Sequence, residues 1–183
     1  MQREQGKILV LTGRYVNIRT VTPGDAEFIL SLRCNQEKAK YLHKTEYNIK
    51  KQEEYIQHAL SLDNEWYFII ENKIHKPLGT YRIYDLKPDS FGIGSWLMID
   101  GCSYYETIEG EYLVKTVDFK KTGFNKFHFD VRKENKKVIR FHKLMGARQI
   151  GETEQDIFFE CTKDDYLNNV SKILKFKSDL LCT

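Results

Sequence analysis

The stretch FHFDVRKENKKVIRFHKLMGA, residues 127–147, changes its period midway, and that change decides the fold. Phe127, Phe129 and Val131 alternate with His128, Asp130 and Arg132, the two-residue period of a strand. Val138, His142 and Met145 then fall at i, i+4 and i+7, on one stripe of a helix. Asn135 occupies the N-cap position, and Gly146 stands where the helix must stop. The segment therefore runs strand, turn, helix, glycine stop.

Upstream, residues 106–121 predict a helix with Gly110, Leu113, Val114 and Val117 on one face, closed by Gly123. Before it, residues 66–71 (WYFIIE), 78–86 and 91–99 (FGIGSWLMI) predict three strands in succession. Gly92 and Gly94 inside the third suggest a bulge or a close backbone approach. Residues 15–21 (YVNIRTV) predict a first strand. Thr22, Pro23 and Asp25 then form an N-terminal helix signature, leading into a helix through Ala26, Ile29, Leu30 and Arg33. A second helix spans about residues 51–60, with Tyr55, Ile56, Ala59 and Leu60 as its apolar face. Downstream, residues 148–152 and 156–161 form an antiparallel pair, and the tail from Thr162 reads as a terminal helix. Hairpins feeding a strand–helix–strand crossover give an α/β (α+β) mixed sheet with helices on both faces. Residues 1–183 are expected to form a single domain, with a core over about residues 11–161.

Hydrophobic residues make up 41% and charged residues 30%, a globular balance, and eleven Phe with eleven Tyr favour a packed core over disorder. The net charge of +3 is spread among acids, without the basic stripe of a nucleic-acid binder. Cys34, Cys102, Cys161 and Cys182 form no paired motif, which reads as reduced structural thiols. The run at residues 8–11 is too short for a signal peptide, and no apolar run approaches a membrane span. A cytoplasmic protein is expected, without membrane or nucleic-acid partners. No P-loop, GxSxG or HExxH is present. His43, His58, His75, His128 and His142 lack zinc-ligand spacing, and no metal is expected.

Asn135, the aliphatic Val138 three residues later, and Gly146–Ala147 eleven and twelve later resemble the last block of the Gcn5-related N-acetyltransferase (GNAT) superfamily. The element order matches that fold. VNIRTVTPGDAEFI, PLGTYRIYDL, IGSW and GFNK are similar to the branch of ribosomal-protein alanine and amino-sugar acetyltransferases. The resemblance implies a mostly antiparallel central sheet of six to seven strands flanked by about four helices. It also implies acetyl-CoA as co-substrate and an amine acceptor. A small molecule is favoured as that acceptor, with an amino sugar attached to a nucleotide the reading for this branch. Many relatives form homodimers.

Acetyl transfer has three physical requirements: the cofactor must be held, the attacking amine must be neutral, and the leaving thiolate needs a proton. Backbone N–H groups at a helix N-terminus suit the pyrophosphate. By resemblance that loop is Cys102, Ser103, Tyr104, Tyr105, Glu106 and Thr107, which lacks the family's glycines and carries an acid. Pantetheine would pair as an added strand with the backbone of Leu97, Met98 and Ile99, where the fourth strand is expected to splay from the fifth. Asn135 is carried over as the residue facing the cofactor arm, or else as a plain N-cap. Lys137 and Arg140 are candidates for the cofactor phosphates, or else a solvated helix face. His142 stands seven residues after Asn135, at the family's proton-donor position, and is otherwise a packed core histidine. Tyr81, Tyr84, Asp85 and Asp130 are general-base candidates by strand position alone, and Asp130 with Arg132 could simply pair. Lys38, Lys40, Tyr41, His43 and Tyr47 suit the acceptor. Two alternatives remain: a protein N-terminal acetyltransferase, and a non-catalytic binding module of the same fold.

Overall fold

The computed structural model describes residues 10–42 and 44–174. His43, Cys182 and the end of the tail, residues 175–183, lie outside them. The elements are β1 (Val10–Thr12), β2 (Val16–Thr20), α1 (Ala26–Arg33), α2 (Ile49–Ser61), β3 (Trp66–Asn72), β4 (Pro77–Tyr84) and β5 (Phe91–Met98), followed by α3 (Tyr104–Thr122), β6 (Lys126–Arg132), α4 (Lys136–Leu144), β7 (Arg148–Glu152), β8 (Asp156–Thr162) and α5 (Lys163–Leu174). The strands are hydrogen-bonded in the order β1-β2-β3-β4-β5-β6-β8-β7. The sheet is mostly antiparallel, and β5 pairs with β6 in parallel through Phe91↔Phe127 and Gly92↔His128.

The sheet has eight strands, above the expected six to seven. The extra strand is β1, which pairs with β2 through Val10↔Arg19, Leu11↔Ile18 and Thr12↔Asn17. Gly13 N–H donates to Val16 O at 2.8 Å and closes that hairpin. The buried carboxylate of Glu109 then accepts from the N–H groups of Arg14, Tyr15 and Val16 at 2.8, 2.5 and 2.8 Å. Three residues are too short a strand to show a period, so only the longer arm was legible in sequence.

The described residues fall into two compact units: residues up to 84 with 94–114, and residues 85–93 with 115 onward. In the first, Val21, Ala26, Ile29, Ile56, Tyr67 and Ile69 form a buried cluster where α1 and α2 cover β3. Asp25 begins this layer. Its carboxylate accepts from Thr22 N–H at 2.7 Å, the reciprocal arm anticipated from Thr22-Pro23-Gly24-Asp25, and also pairs with Arg19 at 2.6 Å. In the second unit the core is aromatic. Phe127 stacks with Phe91 and Phe129 at centroid distances of 5.9 Å, and Phe129 stacks with Phe159 at 5.4 Å. Gly146, at φ +96, stops α4 where a Cβ would press on Asn169 and Asp165, so glycine is required on two grounds. Among the described residues no helix is long and apolar enough to cross a membrane.

Candidate active site

β5 is kinked at Ser95, whose φ of +50 lies in the left-handed region. The kink is fixed from β4, where Thr80 Oγ1 donates to Ser95 O at 2.7 Å. Thr80 also hydrogen-bonds the Tyr67 phenol, whose pKa burial pushes up to about 12. Beyond the kink come Leu97, Met98 and Ile99. Ile99 N–H already donates to Leu78 O at 2.7 Å, so strand alternation turns the peptide groups of Met98 to the opposite edge. Gly79 makes this approach possible, because a Cβ there would overlap Leu97 O and Met98 Sδ.

The chain then turns through Gly101, at φ +83, into α3. The helix starts at Tyr104, two residues earlier than the sequence suggested, because Ser103 caps it. Glu106 N–H donates to Ser103 Oγ at 3.2 Å and Ser103 N–H donates to Glu106 Oε2 at 2.8 Å, a capping box. Thr107 N–H donates to Ser103 O at 3.2 Å. Glu106 is therefore folded onto its own helix end. Tyr104 and Tyr105 are exposed, and Tyr105 stacks on Tyr15 at 5.2 Å. The Cys102 thiol is raised, by burial first and then by the charge of Glu106.

In the second unit, Asn135 caps α4, its Oδ1 accepting from Val138 N–H at 3.3 Å. Lys137 and Arg140 are exposed on the same helix. His142 faces inward. It is 5% exposed, and its ring centroid lies 4.2 Å from that of Phe129. Burial, and then the charge of Lys115, hold its pKa well below the usual histidine range, so the imidazole is neutral near pH 7. Lys115 itself is buried, its Nζ 3.9 Å from the Phe127 ring centroid and 4.2 Å from that of Tyr166.

The opposite face of β6 carries a constellation that sequence reasoning missed. His128 Nδ1 lies 2.9 Å from Ser90 Oγ and Nε2 lies 3.1 Å from Asp85 Oδ2. These positions are 38 and 43 residues apart in sequence, and only the Gly92↔His128 register brings them together. Asp130 and Arg132 take separate roles: Asp130 is exposed, while Arg132 pairs with Asp156 at 2.9 Å. In the first unit Lys38 pairs with Asp100, Lys40 lies 5.4 Å from the Tyr41 ring centroid, and Tyr47 is exposed. Among the described residues no group of three His, Cys, Asp or Glu is placed to hold a metal ion.

A kinked strand running into a capped helix, then a parallel strand and a second helix opened by Asn, defines an acetyltransferase architecture. The profile of the acetyltransferase (GNAT) domain matches residues 16–148, and the chain belongs to that family of N-acetyltransferases. It is similar to the apo structure of FdhC, described as a nucleotide-linked sugar GNAT. The identity is 35%, the match covers 92% of this chain and 98% of that one, and the TM-score is 0.81. The ribosomal-protein-S5-alanine acetyltransferase of Vibrio fischeri shares the fold at 15% identity, 86% and 98% coverage and TM-score 0.72. Spermidine N-acetyltransferase of Vibrio cholerae, solved with CoA and spermine, shares it at 18% identity, 84% and 98% coverage and TM-score 0.71. Comparison with curated proteins gives no match.

Proposed function

We propose that the protein transfers the acetyl group of acetyl-CoA directly to the primary amine of a nucleotide-linked amino sugar in the cytoplasm. The observation that carries this reading is the 35% identity to a nucleotide-linked sugar GNAT over nearly the full length of both chains. In the reaction the neutral amine attacks the thioester carbonyl, the carbon–sulfur bond breaks as the amide forms, and the thiolate leaves to be protonated.

Met98, flanked by Leu97 and Ile99, offers the outward peptide groups for pantetheine, as its alternation against β4 supports. Residues 102–107 receive the pyrophosphate at the start of α3; the N–H groups of Ser103, Glu106 and Thr107 are already engaged in the helix end, which leaves those of Tyr104 and Tyr105 and the side-chain hydroxyls to meet it. Asn135, Lys137 and Arg140 serve the cofactor arm, a reading supported by Asn135 at the N-cap of α4 and by the exposure of Lys137 and Arg140 on that helix. His142 enters as the packed ring rather than the proton donor. Its burial against Phe129 and its depressed pKa support that assignment, since a neutral imidazole is a poor acid.

The test is calorimetric titration with acetyl-CoA, of the protein and of Asn135→Ala, followed by acetylation assays. These compare nucleotide-linked amino sugars with spermidine and short peptides. Saturable cofactor binding, weakened in the variant, with turnover of the sugars alone is the expected result. Turnover of peptides alone would replace the acceptor with a protein N-terminus. Absence of cofactor binding would make the chain a binding module.

A further inference from the structure

One guanidinium in the first unit is held in an aromatic slot. Arg82 rises from β4 between two tyrosine rings, with Cζ 4.9 Å from the centroid of Tyr84 and 5.3 Å from that of Tyr55 on α2. Its Nη2 donates to Glu65 Oε2 at 2.7 Å, and the two side chains are 20% and 17% exposed. Its Nε is buried and makes no hydrogen bond. The register pairs Arg82 with Tyr67 and Thr80 with Ile69, so Thr80, Arg82 and Tyr84 share the face that α1 and α2 partly cover. Tyr84 lies across β5 as well. A Cβ on Gly94 would stand 2.9 Å from both its Cε1 and its Oη, so Gly94 is the space the phenol occupies. Ser95, the kink, is the next residue. Leu97 lies three residues beyond Gly94, just past that kink.

We infer that this slot is the sugar-ring subsite of the acceptor, an assignment that rests on the nucleotide-sugar reading above. The chemistry fits a neutral polyhydroxyl ring better than a phosphate. Glu65 already compensates the charge of Arg82, whereas a phosphate site would present an uncompensated cation. A sugar hydroxyl both donates and accepts. Glu65 is an acceptor and Arg82 a donor, held side by side by their hydrogen bond. Tyr55, which is exposed, offers an apolar ring surface to the C–H face of the sugar, which neither charged group can do. Gly94 keeps the subsite against the strand that carries Leu97, Met98 and Ile99, so a ring amine bound there starts close to the expected cofactor stretch.

A purely structural clamp would make the same contacts, and the test separates the two. Steady-state kinetics of the full-length enzyme are measured with acetyl-CoA and the best nucleotide-linked amino sugar. The variants are Arg82→Met, Glu65→Gln and Tyr55→Leu. The expected result is a rise in acceptor KM of about tenfold, from the loss of one good polar contact at Arg82 or Glu65 or of one ring surface at Tyr55, with acetyl-CoA KM changed less than about twofold. Tyr55, 39% exposed, is the variant least able to disturb the core and decides the matter if Arg82→Met fails to fold. Sugar turnover by the parent protein with unchanged acceptor KM in folded Tyr55→Leu and Glu65→Gln would overturn the subsite and leave the functional reading intact. Neither turnover nor calorimetric binding of nucleotide-linked sugars by the parent protein would overturn both.

Discussion

Ser103 and Glu106 close a reciprocal pair at the start of α3, with Ser103 N–H on the carboxylate at 2.8 Å and Glu106 N–H on the hydroxyl at 3.2 Å. The box stabilises the helix end and also places a negative charge where a ligand anion would be attracted. Glu106→Gln keeps an acceptor oxygen for Ser103 N–H and removes the charge. We expect acetyl-CoA to bind about two- to fivefold more tightly at low salt, from a charge effect of about 0.3–1 kcal/mol, with the gain shrinking as salt rises. Calorimetry at two ionic strengths checks this, and unchanged binding at both would show that Glu106 does not face the cofactor.

Gly79 tests whether the close approach of β4 to β5 is required. A methyl there would overlap the Leu97 carbonyl, which is backbone and cannot step aside without parting the strands. Gly79→Ala should cost about 1–3 kcal/mol and weaken acetyl-CoA binding. Gly24→Ala, where the nearest atom would be Thr22 Oγ1 at 3.7 Å, should stay within about 0.5 kcal/mol. Urea unfolding of the two variants makes the comparison, and equal losses would show that the overlap is relieved without parting the strands.

The β6–α4 segment was legible because its signals are local. Phe127, Phe129 and Val131 mark a buried strand face, and Asn135 and Gly146 bracket the helix within one short window. Helix α3 was legible in its middle but not at its start, because the Ser103-x-x-Glu106 box was not read as one. The partners that shape the site depend on strand register, which no periodicity supplies. Arg82 meets Glu65 across 17 residues, and His128 meets Asp85 across 43. His142 was legible in both of its readings, as the residue seven after Asn135 and as a packed ring on the apolar stripe, but its partner Phe129 in the aromatic core was not.

Asp118 is fully buried in α3 with both carboxylate oxygens lacking a hydrogen bond. Burial raises its pKa well above the ordinary value of 3.8, against the smaller opposing charges of Lys115 and Lys121. The folded state therefore keeps a proton that the unfolded chain releases above about pH 4, and stability falls as pH rises from there. Asp118→Asn removes this linkage. It should stabilise the protein by about 1–3 kcal/mol at pH 7, with little effect near pH 4. Urea midpoints at the two pH values measure it, and an equal effect at both would mean that Asp118 is not neutral in the folded state.

His142 has the opposite linkage, which makes its role separable. Its pKa is depressed in the folded protein, so the unfolded chain gains a proton below about pH 6.5 that the native core refuses. That part of the stability is complete above pH 6.5 and is lost as pH falls. His142→Phe keeps an aromatic ring against Phe129 and Phe141 and carries no proton. If the ring only packs, kcat should stay within about threefold while the downward slope of melting temperature below pH 6.5 flattens. If the imidazole protonates the departing thiolate, kcat should instead fall by about 10²- to 10⁴-fold, the usual worth of a positioned acid. We expect the first outcome, because a group that cannot hold a proton near pH 7 cannot deliver one. Measured together, kcat and the slope distinguish a lost acid from a damaged fold, since misfolding would lower the melting temperature at every pH.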